Sequence, residues 1–286
     1  MKRLDSLSFL IVVFLLVING LVWFQIVFND SVTRTSFYFL DVGQGDGTLG
    51  VFEGGAKFLV DAGPGAKTVS ALQEVLGTND KYIDLVFITH PQLDHFGGLN
   101  FVLDRYELGA VVINGREVDL PEWTELLEEL EGREIPILTL GAEDRISYRD
   151  HLVDFLSPDG AQIQSAELND GSLVSLITTP EAKVLLTGDI SANIEKYLLE
   201  KFEGGELAAD ILKVPHHGSK YSSSEDFIRA VRPKIAIIEV GKNNYGHPTE
   251  EVLRRLQANN VKVFRTDVLG NIKTEFSLDR ISVFTP

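Results

Sequence analysis

Residues 89–98 read Thr-His-Pro-Gln-Leu-Asp-His-Phe-Gly-Gly. They follow an apolar, β-rich run at 83–89, so two histidines and an aspartate stand just beyond a strand end. Layered α/β folds place their ligand sites at such ends. Five of the six histidines fall into three clusters of this kind. The second is Val214-Pro215-His216-His217-Gly218-Ser219, after the run 210–213. The third is Tyr245-Gly246-His247-Pro248, after 234–240. A further strand-like run, 183–189, ends on Asp189. The sixth histidine, His151, lies inside an apolar strand pattern and reads as structural. With no cysteine in the chain, any metal must be held by His, Asp, Glu, Asn or Gln. Imidazole and carboxylate are the donors expected for Zn²⁺, Mn²⁺ or Fe in that case. A tight turn between His90 and His95 aims several side chains at one point. Gly97 and Gly98 let a helix start close to it.

Working outward, strand patterns recur at 36–42, 48–53, 57–63, 111–114, 135–140, 151–157, 172–179, 262–266 and 280–284. Helical patterns fall at 66–77, 121–131, 191–202, 224–231 and 249–258. Length alone suggests about two domains. No long linker, internal repeat or low-complexity stretch divides residues 35–286, so the pattern predicts one α/β domain with two sheets covered by helices. Apolar residues at 44% and charged residues at 24% exclude a disordered or fibrous chain. The missing cysteines exclude disulfides and thiol catalysis, and an oxidising compartment costs such a chain nothing.

Residues 7–28 contain no charged side chain. At ~1.5 Å per residue, 22 helical residues span ~33 Å, enough for a bilayer core. Lys2 and Arg3 precede the run, Asn29 and Asp30 follow it, and Trp23 sits near its outer end. The positive-inside rule puts the N-terminus in the cytoplasm and the rest outside. Residues 1–30 therefore read as an uncleaved signal anchor of a single-pass membrane protein. A cleaved signal peptide would have a shorter apolar core and a small-x-small site, which 29–36 lacks. A buried core helix would be apolar on one face only.

The net charge is −16, from 26 basic and 42 acidic residues. Residues 1–204 hold 14 of the basic and 32 of the acidic groups, so the C-terminal part is nearly neutral. Such a surface as a whole repels nucleic acid and anionic lipid. The most acidic stretch, 117–144, reads as a solvated helix face. Lys213, Lys220, Lys242 and Arg265 offset the charge locally.

The decapeptide at 89–98 resembles the metallo-β-lactamase motif T-H-x-H-x-D-H-x-G-G. Further blocks are similar to the hydrolase domain of ComEC-type competence proteins and stand in the same order. They are FLDVGQGD (39–46), LVDAGP (59–64), NDGSLV (169–174), LLTGDI (185–190), LKVPHHGSKYS (212–222), GHP (246–248) and RTDVLG (265–270). The similarity covers most of 36–276 but includes no multi-span channel. It implies a four-layer αββα metallo-β-lactamase sandwich, preceded here by one transmembrane helix, with one or two divalent ions (Zn or Mn) at an edge of the two sheets.

Carried over residue by residue, it implies His90, Asp94 and His95 as metal ligands, and Asp189 as a carboxylate able to bridge two ions. One of His216 and His217 is the last ligand. His217 is favoured, leaving His216 to meet substrate or leaving group, so that Asp94 and His216 are the catalytic assignments. Asp61 supports the ligands, and Asp41 and Asp46 are structural or supporting. Asn169 and Ser172 lie where other members place a histidine, and His247 is assigned to substrate contact. The resemblance implies hydrolysis of a phosphodiester by a metal-activated water, with DNA as the substrate proposed for the family.

Gln92 departs from the motif. It stands at the second histidine, and an amide oxygen is a weaker zinc ligand than imidazole. Asn169 or Asp170 is the available help on that side. Two alternatives stay open: a hydrolase of another ester, and a binding domain that has lost turnover through Gln92.

Overall fold

The computed structural model describes residues 6–28, 32, 34–277 and 280–286. Helix Ser6–Phe28 is long and apolar enough to cross a membrane. Its large apolar side chains from Leu7 to Trp23 are exposed. The flanking residues Lys2, Arg3, Asn29 and Asp30, on which the orientation was argued, lie outside the described residues.

Fifteen strands follow among the described residues. In the first half they are β1 (Ser36–Phe39), β2 (Thr48–Val51), β3 (Lys57–Val60), β4 (Tyr82–Phe87), β5 (Glu107–Ile113) and β6 (Ile137–Thr139). In the second they are β7 (Arg145–Tyr148), β8 (His151–Ser157), β9 (Val174–Thr178), β10 (Lys183–Leu186), β11 (Ile211–Lys213), β12 (Ile235–Ile238) and β13 (Lys262–Arg265). The chain then returns to the first sheet with β14 (Ile272–Ser277) and β15 (Arg280–Phe284). The sheet orders are β15-β14-β1-β2-β3-β4-β5-β6 and β13-β12-β11-β10-β9-β8-β7. Each sheet starts as an antiparallel meander and continues as parallel strands: β3 to β6 in one, β10 to β13 in the other.

Alternation along the strands builds the layers, because successive side chains point to opposite faces. Val184 and Leu186 of β10 join the layer between the sheets, whereas Leu185 faces the outer helices. Ile235 and Ile237 of β12 do the same against Ala236 and Ile238. The central layer is aromatic, with Phe37, Phe58, Phe87 and Phe155 in successive ring contact. On the outside of the first sheet, Leu72, Leu99, Val102, Trp123, Leu126 and Leu130 cover its other face. Helices Ala192–Lys201, Glu225–Val231 and Glu250–Ala258 cover the second sheet. The four-layer αββα architecture is the expected one.

Two strands, β7 and β14, were not expected. The glycines after the first histidine cluster stand at a helix start, as expected: Gly98 is the N-cap of helix Leu99–Leu103. The short helix Leu93–Phe96 begins before them. A Cβ on Gly98 would lie 1.9 Å from the Ala62 carbonyl, and one on Gly97 2.6 Å from that of Leu93. Their role is to let this helix press against the turn after β3.

Candidate metal centre

The loops after β3, β4, β10, β11 and β12, which are parallel strands of the two sheets, converge at one edge. Asp61 follows β3, the 89–98 segment follows β4, Asp189 follows β10, His216 and His217 follow β11, and Glu239 follows β12.

Asp94, His95, Asp189 and His217 offer ligand atoms that all lie within 4.8 Å of one another. His95 Nε2 is 3.4 Å from Asp189 Oδ2, and His217 Nε2 is 3.3 Å from the same oxygen and 3.5 Å from Asp94 Oδ2. Both Nε2 atoms are buried and make no hydrogen bond. Their other ring nitrogens are occupied. His217 Nδ1 donates to the Glu239 carbonyl at 2.9 Å. A carbonyl only accepts, so Nδ1 carries a proton and Nε2 is the nitrogen that faces the cluster. His95 Nδ1 lies 2.7 Å from Asp61 Oδ2. Asp61 is wholly buried and also accepts from the Thr89 amide and hydroxyl at 2.8 and 2.7 Å. Such outer acceptors fix the ring orientation of metal-binding histidines.

Backbone strain contributes to the aim. Asp61, His216 and His217 have φ of 59°, 50° and 52°. Left-handed conformations cost non-glycine residues roughly 1–2 kcal/mol each, and they cluster where geometry serves a site.

The electrostatics favour a cation. Burial disfavours a charged imidazole, yet the Asp189, Asp61 and Asp94 carboxylates outweigh it and push His95 well above the usual histidine range. For His217, burial is outweighed by Asp189 and Asp46, which raise it to about 10. Asp189 is held well below the usual carboxylate range, since His217, His95 and Lys213 overcome its burial. Asp94 is lowered to about 2 by His95 and His217 against its burial. Two imidazoles and two carboxylates without a thiolate fit Zn²⁺ or Mn²⁺.

The other side of the cluster is built differently. His90 is fully buried with its Nε2 unpartnered and its ring 4.1 Å from that of His95. Burial, reinforced by His95, lowers it to about 3. Gln92 donates through Nε2 to Asn169 Oδ1 at 2.6 Å. Asp170 offers no help there, because its two oxygens accept from Ser165 and Ser191 at 2.8 Å each. Ser172 Oγ accepts from the Asp189 amide at 3.2 Å and lies 3.4 Å from His90 Nδ1.

His216 sits at the rim, with Nε2 3.9 Å from Asp189 Oδ2 and 3.5 Å between its Nδ1 and Asn169. His247 stacks edge-on against it, 5.7 Å between ring centres, with a buried, unpartnered Nδ1. Asp46 is buried against His217 Nδ1 at 3.2 Å. Asp41 stays outside: it pairs with the exposed Lys67 at 2.5 Å, and its backbone amide donates to Asn271. His151 is also remote, packed on Phe52 and hydrogen-bonded to Thr35 Oγ1 at 2.7 Å.

One expectation needs correcting. Lys213 is not a surface cation. It is 2% exposed and bonds Asp46 and the Gly188 carbonyl, the latter at 2.9 Å. Arg265 is likewise tied to Asp267 at 2.6 Å, leaving Lys220 and Lys242 exposed. Sequence reasoning also missed Glu239, buried and bonded to the Gly47 amide and the Thr48 hydroxyl. Burial, then the Asp46 charge, raises it to about 8 despite Lys213. The available signal was an ionisable residue closing each of two otherwise apolar strand runs, at 213 and 239.

A profile of the metallo-beta-lactamase superfamily matches residues 41–241. The chain is 34% identical over 206 residues to ComE operon protein 3 of Bacillus subtilis, covering 72% of this chain and 26% of that protein. It is 31% identical over 242 residues to the competence protein ComA of Neisseria gonorrhoeae, covering 84% and 32%. The chain thus spans about a quarter to a third of the length of these relatives. Among solved structures, Tm1679, a metal-dependent hydrolase of the beta-lactamase superfamily, superposes with a TM-score of 0.55 at 17% identity, over 85% of this chain and all of that one.

Proposed function

The chain belongs to the metallo-beta-lactamase superfamily and is related to competence proteins, and we propose that it is a metal-dependent phosphodiesterase that cleaves nucleic-acid backbones. The carrying observation is the convergence of Asp94, His95, Asp189 and His217, with two buried Nε2 atoms aimed at a common point. A divalent ion held there supplies Lewis acidity and acidifies water towards neutral pH. Asp61 and the Glu239 carbonyl hold the two imidazoles in the donating tautomer. Asp94, 33% exposed at its side chain, faces the open side, where it can orient a water and take its proton. His216, half-buried at the rim, is placed to hydrogen-bond the leaving oxygen. His247 and the exposed Tyr245, with ring centres 5.8 Å apart, extend that rim outward.

DNA is the favoured substrate class, on the strength of the competence relatives. With a net charge of −16, binding of long strands falls to local cations such as Lys220 and Lys242. The test is Mn²⁺- or Zn²⁺-dependent release of product from bis(p-nitrophenyl) phosphate and from labelled single- and double-stranded DNA. Metal-dependent turnover that disappears in Asp94→Asn supports the reading. Tight metal binding with no turnover on any phosphodiester or ester would favour a non-catalytic binding domain instead. The Gln92–Asn169 hydrogen bond is the observation on that side.

Helix Ser6–Phe28 serves in this proposal as an anchor with its N-terminus in the cytoplasm and the hydrolase domain, 35–286, on the far side. Protease added to intact spheroplasts should then digest the domain. Protection there, with digestion in inverted vesicles, would reverse the orientation.

A further inference from the structure

Lys213 closes β11, an apolar strand, and its side chain turns into the candidate centre rather than to solvent. Its ammonium has three protons to place. One goes to Asp46, one to the Gly188 carbonyl at 2.9 Å, and the third side faces Asp189 Oδ1 at 3.6 Å. The two oxygens of Asp189 are thereby divided. Oδ2 lies 3.3 and 3.4 Å from the Nε2 atoms of His217 and His95, whereas Oδ1 lies on the lysine side. A carboxylate that serves two divalent ions needs both its oxygens free, or one shared between two like charges. Neither is favourable beside a fixed ammonium.

We infer that Lys213 is a positioning residue that restricts the centre to one tightly held divalent ion, by placing a buried positive charge 3.6 Å from Asp189 Oδ1, the carboxylate oxygen that makes no hydrogen bond and on which a second ion would draw. The inference rests on the proposed reading of Asp94, His95, Asp189 and His217 as metal ligands, but not on turnover. It assigns the loss of a second ion to two separate causes. Gln92 removes a donor, and Lys213 adds a repelling charge.

The experiment uses the full chain in detergent micelles, titrated with Mn²⁺ and followed by metal analysis and electron paramagnetic resonance. The wild-type protein should bind one tight ion with the spectrum of an isolated Mn²⁺. Lys213→Gln removes the charge and keeps a side-chain donor beside Asp46; because that buried carboxylate loses its counter-charge, folding of the variant is checked by circular dichroism before titration. The variant should gain a second ion, or bind divalent metal at least about tenfold more tightly, since a unit charge at contact range in a partly buried site is worth more than that. Lys213→Arg should restore the wild-type count. A spin-coupled pair of equally tight ions in the wild type overturns the inference whatever the variants do. So does Lys213→Gln with unchanged stoichiometry and an affinity within about twofold of wild type. A wild-type protein that binds no divalent ion overturns the metal reading itself, which separates the two failures.

Discussion

The two sides of the candidate centre use similar side chains to opposite effect. On one, His95 and His217 each have a fixed acceptor behind the ring, Asp61 Oδ2 and the Glu239 carbonyl, and both present a free Nε2 beside Asp189 and Asp94. On the other, His90 has only the Thr89 and Ser172 hydroxyls at Nδ1, and its would-be co-ligands Gln92 and Asn169 bond each other. Donor count alone does not make a metal site. It also needs freedom in front of every donor: on the second side His90 keeps a free Nε2, but Gln92 and Asn169 are tied to each other.

The contrast is most directly broken by removing a shared or strong-side ligand. Asp189→Asn and His217→Ala should each lower metal affinity by more than the ~10–100-fold typical of losing an outer hydrogen-bond partner. Calorimetric titration checks this, and wild-type affinity in either variant would refute the assignment. Next in size, Asp61→Asn removes the carboxylate behind His95 and should cost roughly 10–100-fold in metal affinity. An effect equal to that of Asp189→Asn would mean that Asp61 is itself a ligand. Gln92→His sharpens the comparison from the weak side. It should raise the affinity for a second ion by about tenfold or more, because imidazole replaces an amide donor. Two equally tight ions in the wild type would show the second side to be intact. The smallest effect on metal belongs to His151→Ala. It should leave stoichiometry unchanged while costing about 1–3 kcal/mol of stability through the lost Thr35 hydrogen bond and lost packing. Thermal unfolding beside metal analysis reads both.

Much of this was legible locally. Each histidine cluster announces itself by following an apolar strand run, and strands such as His151–Ser157 and Arg280–Phe284 fall where alternation puts them. The missed strands are those whose partners are remote or whose pattern is mostly polar. In β14, Lys273 and Glu275 alternate with Ile272, Thr274 and Phe276, a half-polar pattern that pairs with remote β1 on one side and with β15 on the other. Lys213 was misplaced for a related reason. A lysine reads as solvent-facing unless its partners are known, and Asp46 and Asp189 reach it from turns far away in sequence. Nor does anything near Asp61 announce its positive φ, which follows from closing the turn against the 93–96 helix. Local period locates the loops, and tertiary contact decides what each polar side chain in them does.

The pairing of β1 with β14 has a kinetic consequence. Thr274 bonds the Phe37 carbonyl across 237 residues, and the ladder runs from Ser36↔Glu275 to Phe39↔Ile272. During synthesis β1 can zip onto β2 at once, but its opposite edge must wait until nearly the whole domain has left the ribosome. Loop-closure entropy grows only logarithmically with such a span, so the delay costs little at equilibrium. It weighs on the rate instead, as non-local pairings do. Throughout that interval the nascent protein carries an open, largely apolar strand edge, a template for mispairing with other chains. Truncation before residue 272 would leave that edge open permanently.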